Sequence, residues 1–107
     1  MKIRNLTPHA INLLVNGEYV EYPPDGIVPR VSSVELPIEG DYPFEAVKVE
    51  YGDVQDLPEP EEGVVLVVSK MCADARPFRR DLWYPARLVR DEKGRIVGCD
   101  ALACLAF

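Results

Sequence analysis

The sequence is poor in the residues that carry most catalysis and metal binding. Among its 107 residues there is one histidine, His9, and there are three cysteines without a Cys-x-x-Cys pair. The chain also lacks a glycine-rich phosphate-binding loop and a nucleophile elbow, which argues against a P-loop enzyme and an α/β-hydrolase. With so few groups for acid–base, nucleophilic or metal chemistry, we expect a non-enzymatic protein without a cofactor or a metal site.

Long apolar runs are also absent. The longest, Ala101–Phe107, has seven residues, and Val64–Val68 has five, whereas a membrane helix needs ~20. The first residues, Met1–Asn5, include two basic side chains and no apolar run, so we expect no secretory signal. The number of cysteines is odd (Cys72, Cys99 and Cys104), whereas a disulfide framework needs an even number. These observations predict a cytoplasmic protein with reduced thiols and no membrane partner.

Acidic charge is abundant and unevenly distributed. The formal net charge is −6, but residues 18–62 hold thirteen acidic and two basic residues, a net charge of −11. Residues 63–107 hold eight basic and five acidic residues, a net charge of +3. The acidic balance disfavours nonspecific binding to nucleic acid, so we expect no nucleic-acid partner. It still allows a local basic pocket, or an acidic face formed by residues 18–62.

Turn signals and apolar patterns predict mostly β structure in the first half of the chain. Two runs, residues 10–15 and 18–22, flank Asn16-Gly17, which is the strongest short hairpin signal. Residues 27–36 contain Pro29, which has no N–H for a central ladder. We therefore expect an edge strand or an extended segment there.

The middle of the chain combines a strand pattern with an acidic, proline-containing stretch. Residues 45–51 alternate, so Val47, Val49 and Tyr51 should face one side of a strand. Residues 52–63 are rich in acidic residues and proline, and they predict a long loop stiffened by its prolines.

The second half predicts a buried strand, a short helix and a hairpin. Val64–Val68 is apolar on both faces, as in a central strand. Ser69 is a good helix N-cap, and Lys70–Arg76 would form about two turns before the next proline ends the helix. A last hairpin is predicted within residues 87–98. We expect a single domain, residues 1–107, of the α+β class and mostly β, with a small barrel or a two-layer antiparallel sheet and one short helix.

Several short motifs follow one another along the chain. They are Asn5-Leu6-Thr7-Pro8-His9, Tyr51-Gly52, Leu57-Pro58-Glu59-Pro60, Val67-Val68-Ser69, Arg79-Arg80-Asp81 and the run from Arg90 to Cys99. The pattern resembles small uncharacterised proteins of bacteriophages and prophages that open with an Asn-Leu-Thr-Pro-His motif. The resemblance spans most of the chain and implies a cytoplasmic protein of a bacterial or similar cell. It carries over no functional residues.

One segment, SKMCADARPFRRDLWYP at residues 69–85, gathers arginines and aromatic residues in an otherwise acidic chain. A helix N-terminus offers free N–H groups, arginine grips phosphate or carboxylate, and aromatic rings stack on bases. Such a segment would suit an anionic, nucleotide-like small molecule. The predicted ligand-binding residues are Ser69, Lys70, Arg76, Arg79, Arg80, Trp83 and Tyr84, with His9 as a further candidate.

Each part of this site has a structural alternative. The arginines could pair with the acidic loop at residues 52–62, while the aromatic residues belong to the core. His9 could make structural hydrogen bonds to Asn5 or Thr7 instead of binding a ligand.

Three functional hypotheses follow from these patterns. The first is a non-enzymatic binding protein for an anionic small molecule, and the phage resemblance suggests that it sequesters a host signal molecule. The second is a protein–protein interaction module, which uses the acidic face of residues 18–62 or forms a homo-oligomer. The third is a small enzyme of unknown reaction.

Overall fold

The computed structural model describes residues 1–107 and contains eight strands and one short helix. In chain order the elements are β1 (Lys2–Asn5), β2 (Ile11–Val15), β3 (Glu18–Tyr22), β4 (Arg30–Pro37), β5 (Val47–Gln55), β6 (Val64–Val67), α1 (Lys70–Ala75), β7 (Leu82–Arg90) and β8 (Ile96–Ala103). The predicted class, mostly β with one short helix and a barrel-like sheet, is confirmed. The single helix has neither the length nor the apolar character needed to cross a membrane.

Six strands form one curved sheet in the order β1-β6-β7-β8-β2-β3. The pairs β1–β6, β6–β7 and β2–β8 are parallel, whereas β7–β8 and β2–β3 are antiparallel. The two edge strands, β1 and β3, approach each other. The sheet is therefore a nearly closed barrel whose open seam lies between β1 and β3.

The side chain of Asn5 bridges this seam. Its amide nitrogen donates to the carbonyl oxygens of His9 at 2.8 Å and of Tyr22, the last residue of β3, at 2.9 Å. Its amide oxygen accepts from the backbone N–H of Thr7 at 3.0 Å and from the Thr7 hydroxyl at 2.6 Å. Asn5 is only 2% exposed, so its side chain replaces the backbone ladder that the seam lacks.

Most of the local sequence signals correspond to observed elements. Asn16 and Gly17 have φ values of 51° and 83°, and they form the two-residue turn predicted between β2 and β3. The predicted buried strand is β6, which lies between β1 and β7. The predicted helix is α1, and the Ser69 hydroxyl caps it by accepting from the Cys72 N–H at 3.2 Å.

Several sequence-based strand boundaries differ from the observed ones, and β1 is not predicted at all. β5 continues to Gln55, so the acidic loop covers residues 56–63 instead of 52–63. The reason is a bulge at Gly52 and Asp53, where two residues of β5 lie opposite one residue of β4. β7 begins at Leu82 and β8 ends at Ala103, whereas the predicted hairpin lies within residues 87–98. β1 is a short polar strand, and its partner β6 is distant in the sequence.

The core is small and lies between β6, α1 and β7. Its buried members are Leu6, Leu66, Val68, Cys72, Ala73 and Leu82. Only 11 of the 107 residues are buried, and the Cα radius of gyration is 16.4 Å, whereas a compact chain of this length would have about 13 Å. The excess reflects β4 and β5, which form a separate two-stranded sheet and project from the barrel.

Candidate functional site

The predicted residues at the start of α1 are engaged in local interactions. Ser69 caps the helix, as described above, and the Lys70 ammonium lies 3.3 Å from Asp74 Oδ2, one turn further along the helix. This i, i+4 pair is a common feature of exposed helix faces. The helix has six residues, and its N-terminus gives no independent indication of a ligand.

Arg79 is held by Asp81 and by the acidic loop. Its Nε lies 2.9 Å from Asp81 Oδ1 and its Nη2 lies 2.5 Å from Asp81 Oδ2, which is a bidentate pair. The same Nη2 donates to the Pro58 carbonyl oxygen at 2.9 Å. Arg79 therefore contacts the acidic loop, as the structural alternative expects. The contact is to a backbone carbonyl of the loop and not to a carboxylate.

Arg80 and Trp83 lie against the last residue of the chain. The Arg80 guanidinium is 5.0 Å from the centroid of the Phe107 ring, and the Trp83 ring centroid is 5.6 Å from that of Phe107. Trp83 Nε1 donates to the Arg80 carbonyl oxygen at 2.9 Å. Tyr84 packs against the core cluster. Tyr84 therefore packs on the core, as the structural alternative expects, whereas Trp83 packs on the exposed ring of Phe107.

The two remaining predicted residues, Arg76 and His9, do not join a common pocket with the others. Arg76 ends α1 and donates to the Ala75 carbonyl oxygen at 2.7 Å. His9 contacts Asn5 and Thr7 through its carbonyl oxygen, while its side chain is exposed. The structural alternative for His9 is thus present, but it uses the backbone instead of the imidazole.

Two open clefts are lined by other residues. A cleft of about 640 Å³ lies where the chain leaves the barrel and returns to it, and it is lined by Gly26, Ile27, Val28, Arg30, Asp56, Leu57 and Pro58. A groove of about 250 Å³ is lined by residues 10–12, by Pro85 and Leu88 of β7, and by residues 96–99 of β8. None of the eight predicted site residues lines either one.

The cysteines are free, and two of them are shielded from reaction. Cys72 and Cys99 are buried, whereas Cys104 is partly exposed. Burial raises the pKa of the Cys72 thiol, although the positive charges of Arg79 and Arg76 oppose the rise. Burial also raises the pKa of the Cys99 thiol. Both thiols are therefore poor sources of the nucleophilic thiolate at neutral pH.

The most unusual surface is the projecting hairpin of β4, β5 and the loop between them, residues 30–55, which we call the ribbon. Directly paired residues of two strands have their side chains on the same face of a sheet. Eight large apolar side chains of the ribbon are exposed, and the six that lie on its strands and next to them form one row of three on each face. The rows are Val47, Val49 and Tyr51 on the first face, and Val34, Leu36 and Ile38 on the second face.

The first face of the ribbon is continuous with the protein core. Val31 and Val54 pair with each other at the base of the ribbon and pack against the core cluster. The bulge at Gly52 brings Tyr51 onto the same face as Val54, because it adds one residue between them. A Cβ at Gly52 would approach the Ser32 hydroxyl to 2.6 Å, so glycine suits this position. The apolar row therefore extends the core surface into solvent.

The tip of the ribbon combines aromatic and acidic residues. The ring centroids of Tyr42 and Phe44 are 5.4 Å apart, and Phe44 is 64% exposed. Residues 30–55 contain six acidic and two basic residues, a net charge of −4. The ribbon thus offers apolar side chains within a negative field.

No protein-family model, curated protein or solved structure matches this chain. The resemblance to phage and prophage proteins therefore stays a prediction.

The sequence contains part of the signal for the ribbon. Alternation in residues 45–51 predicts that Val47, Val49 and Tyr51 share a face, and they do. Alternation does not tell whether that face is covered, and an apolar row normally indicates a core.

Proposed function

We propose that this protein is a non-enzymatic protein-binding module that docks through the ribbon. The observation that carries the proposal is the double apolar row outside the core, in which Val34 is 57% and Val49 is 49% exposed. Contiguous apolar surface of this kind on a small protein is typical of an interaction site. Burying it would stabilise the complex by removing apolar area from water.

The charge of the ribbon indicates what the partner looks like. Acidic side chains surround the apolar rows, so a partner with apolar side chains among basic ones would be complementary. The same charge would repel nucleic acid and anionic membranes. This proposal develops the second of the three hypotheses and narrows the acidic face from residues 18–62 to residues 30–55.

The decisive variant removes the distal ribbon and keeps its base. Val34 and Glu50 are directly paired, so replacing residues 35–49 by Asn-Gly would close the shortened hairpin with a two-residue turn. The base residues Val31 and Val54 would still pack on the core. We expect the truncated protein to fold and to lose its partner.

The experiment is affinity capture of a stoichiometric partner, followed by hydrogen exchange of the complex. We expect capture by the full chain, protection confined to residues 30–55, and no capture by the truncated variant. Phe78→Ser is the matched control, because Phe78 is a 92% exposed aromatic residue outside the ribbon. Capture that survives truncation, or that is lost in Phe78→Ser, would contradict the proposal.

An anionic small molecule is a second candidate ligand class, favoured by one specific observation. Arg80 is exposed and takes part in none of the six ion pairs, so its guanidinium group, which lies over the Phe107 ring, is available to an anion. A ligand that binds only the folded state raises its melting temperature. The measurement is thermal unfolding with ATP as the probe, with Arg80→Ala as the variant that should lose the shift.

A further inference from the structure

The hydrogen-bond pattern of the ribbon shows which backbone groups face outward. The Ile38 N–H donates to the Ala46 carbonyl oxygen at 2.8 Å. In an antiparallel ladder, hydrogen-bonded and non-hydrogen-bonded pairs alternate. The pairs Pro37–Val47 and Glu35–Val49 are therefore non-hydrogen-bonded, which agrees with the missing N–H of Pro37. Val47, Val49 and Tyr51 consequently turn their N–H and C=O groups towards the free edge of β5.

The two free edges of the ribbon differ. On β4 the outward positions are Ser33, Glu35 and Pro37, and proline removes one of the three donors from that edge. On β5 the outward positions are Val47, Val49 and Tyr51, which keep all their donors and acceptors. The β5 edge is therefore the one that can accept another strand.

The sequence of β5 is complementary to itself when read in the opposite direction. In an antiparallel pairing of two copies centred on Val49, each Val47 lies opposite Tyr51 of the second copy. Each Lys48 then lies opposite Glu50 of the second copy, so opposite charges meet across the strands. At the centre of such a pairing the two Val49 residues form a hydrogen-bonded pair, because the N–H and C=O groups of each Val49 point to the free edge of β5.

Resting on the proposed ribbon docking, we infer that the β5 edge, as distinct from the apolar faces that suit a basic partner, binds a second copy of this chain. The facing Lys48 and Glu50 side chains offset part of the repulsion between two ribbons that each carry a net charge of −4. The two copies join into a four-stranded sheet in the order β4-β5-β5-β4 with two-fold symmetry. An isolated two-stranded hairpin is marginally stable in water, and added strands stabilise it. The dimer also places six apolar side chains, three from each copy, on one continuous face.

The flanks of β5 limit this pairing to a closed dimer. In the same register Glu45 lies opposite Asp53 of the second copy, and these like charges repel. The bulge at Gly52 also ends the regular ladder. The contact spans only residues 46–52. Its buried area is therefore at the low end for specific interfaces, and we expect a dimer that dissociates at micromolar concentrations.

The test is analytical ultracentrifugation of the full chain over a range of concentrations. We expect a monomer–dimer equilibrium that Val49→Pro weakens about tenfold or more, because proline removes a donor from the paired edge. Glu35→Pro is the matched control, since Glu35 lies directly opposite Val49 and faces the other edge. It should leave the dimer unchanged. Thermal unfolding of both variants verifies that the fold is retained.

A charge exchange tests the register without proline. Lys48→Glu and Glu50→Lys should each weaken self-association, because like charges would meet across the strands. An equal mixture of the two variants should form a heterodimer, in which each glutamate again faces a lysine. A mixture that stays monomeric, or a dimer insensitive to both variants, would overturn the β5 pairing.

The outcomes separate this inference from the proposed function. A full chain that stays monomeric at every concentration, yet captures another protein in a truncation-sensitive way, overturns the homodimer and keeps the docking proposal. A monomeric chain whose truncation changes no binding overturns both. A dimer that is lost in Glu35→Pro and kept in Val49→Pro would show that the contact uses the β4 edge, and it would overturn the β5 pairing.

Discussion

Asn5 uses both donors and both acceptor positions of its side-chain amide to join β1, the following turn and the end of β3. The Asn-Leu-Thr-Pro-His motif therefore has a structural role in this fold. Thr7 and the His9 carbonyl complete the network, and Leu6 belongs to the core. The motif and β3 are both visible in the sequence, but the contact of Asn5 with the end of β3 is not.

We expect Asn5→Asp to lower the free energy of unfolding by about 3 kcal/mol, because two carbonyl oxygens lose the donors of the buried Asn5 amide and face a carboxylate instead. The loss should shrink at acidic pH. The carboxyl that replaces the amide would have a raised pKa, so its stabilising protonated form is present at low pH and lost as the pH rises. The measurement is urea denaturation at several pH values.

Thr7→Val is the control for this experiment. It removes one hydroxyl donor from Asn5 and leaves the amide in place, so the expected cost is about 1 kcal/mol. Equal losses for the two variants, or a pH-independent loss for Asn5→Asp, would contradict the role given to the Asn5 amide.

At the scale of elements, the connection between α1 and β7 places two neighbouring arginines in different environments. Arg79 holds Asp81, whose side chain is 12% exposed, and also holds the acidic loop. Arg80 lies over an exposed aromatic ring. The sequence shows two identical side chains in a row. It does not show the turn that gives one of them a partly buried partner.

Arg79→Ala should therefore lower the free energy of unfolding by about 1–3 kcal/mol, because a partly buried carboxylate and a loop carbonyl lose their donor. Arg80→Ala should cost less than about 1 kcal/mol, as expected for a cation–π contact at an exposed site. Urea denaturation of the two variants measures the difference.

A double variant provides the matched control. Arg79→Ala combined with Asp81→Ala should be less destabilised than the sum of the two single variants, because the pair is lost only once. If Arg80→Ala costs more than Arg79→Ala, the environments assigned to the two arginines are reversed.

At the scale of the whole molecule, the sequence predicts elements better than it predicts their arrangement. The Asn16-Gly17 turn, β6 and α1 follow from local rules of turn, burial and capping. β1 escapes these rules because it is short, polar and paired with a strand some sixty residues away. The exposure of the ribbon also escapes them, since an apolar row predicts a covered face and says nothing of what covers it.

The truncated variant, with Asn-Gly in place of residues 35–49, should keep the stability of the full chain and have a smaller radius of gyration. Because the barrel keeps its seam and its core, we expect a cooperative thermal transition within a few degrees of that of the full chain. The radius of gyration should fall from 16.4 Å towards the value of about 13 Å for a compact chain. Small-angle scattering of the monomer measures this change. A truncated protein that unfolds, or that keeps its elongated shape, would contradict the division into barrel and ribbon.

The chain leaves the barrel and returns to it at one place, since Gly26–Arg30 and Asp56–Pro58 line the same cleft. The ribbon is in this sense an insertion between β3 and β6, and the contacts that close the barrel seam lie outside it. In evolutionary terms, mutations in the distal ribbon are separated from those that decide folding. Under the proposed docking role, residues of the distal ribbon can change to suit a partner without altering the contacts that close the barrel.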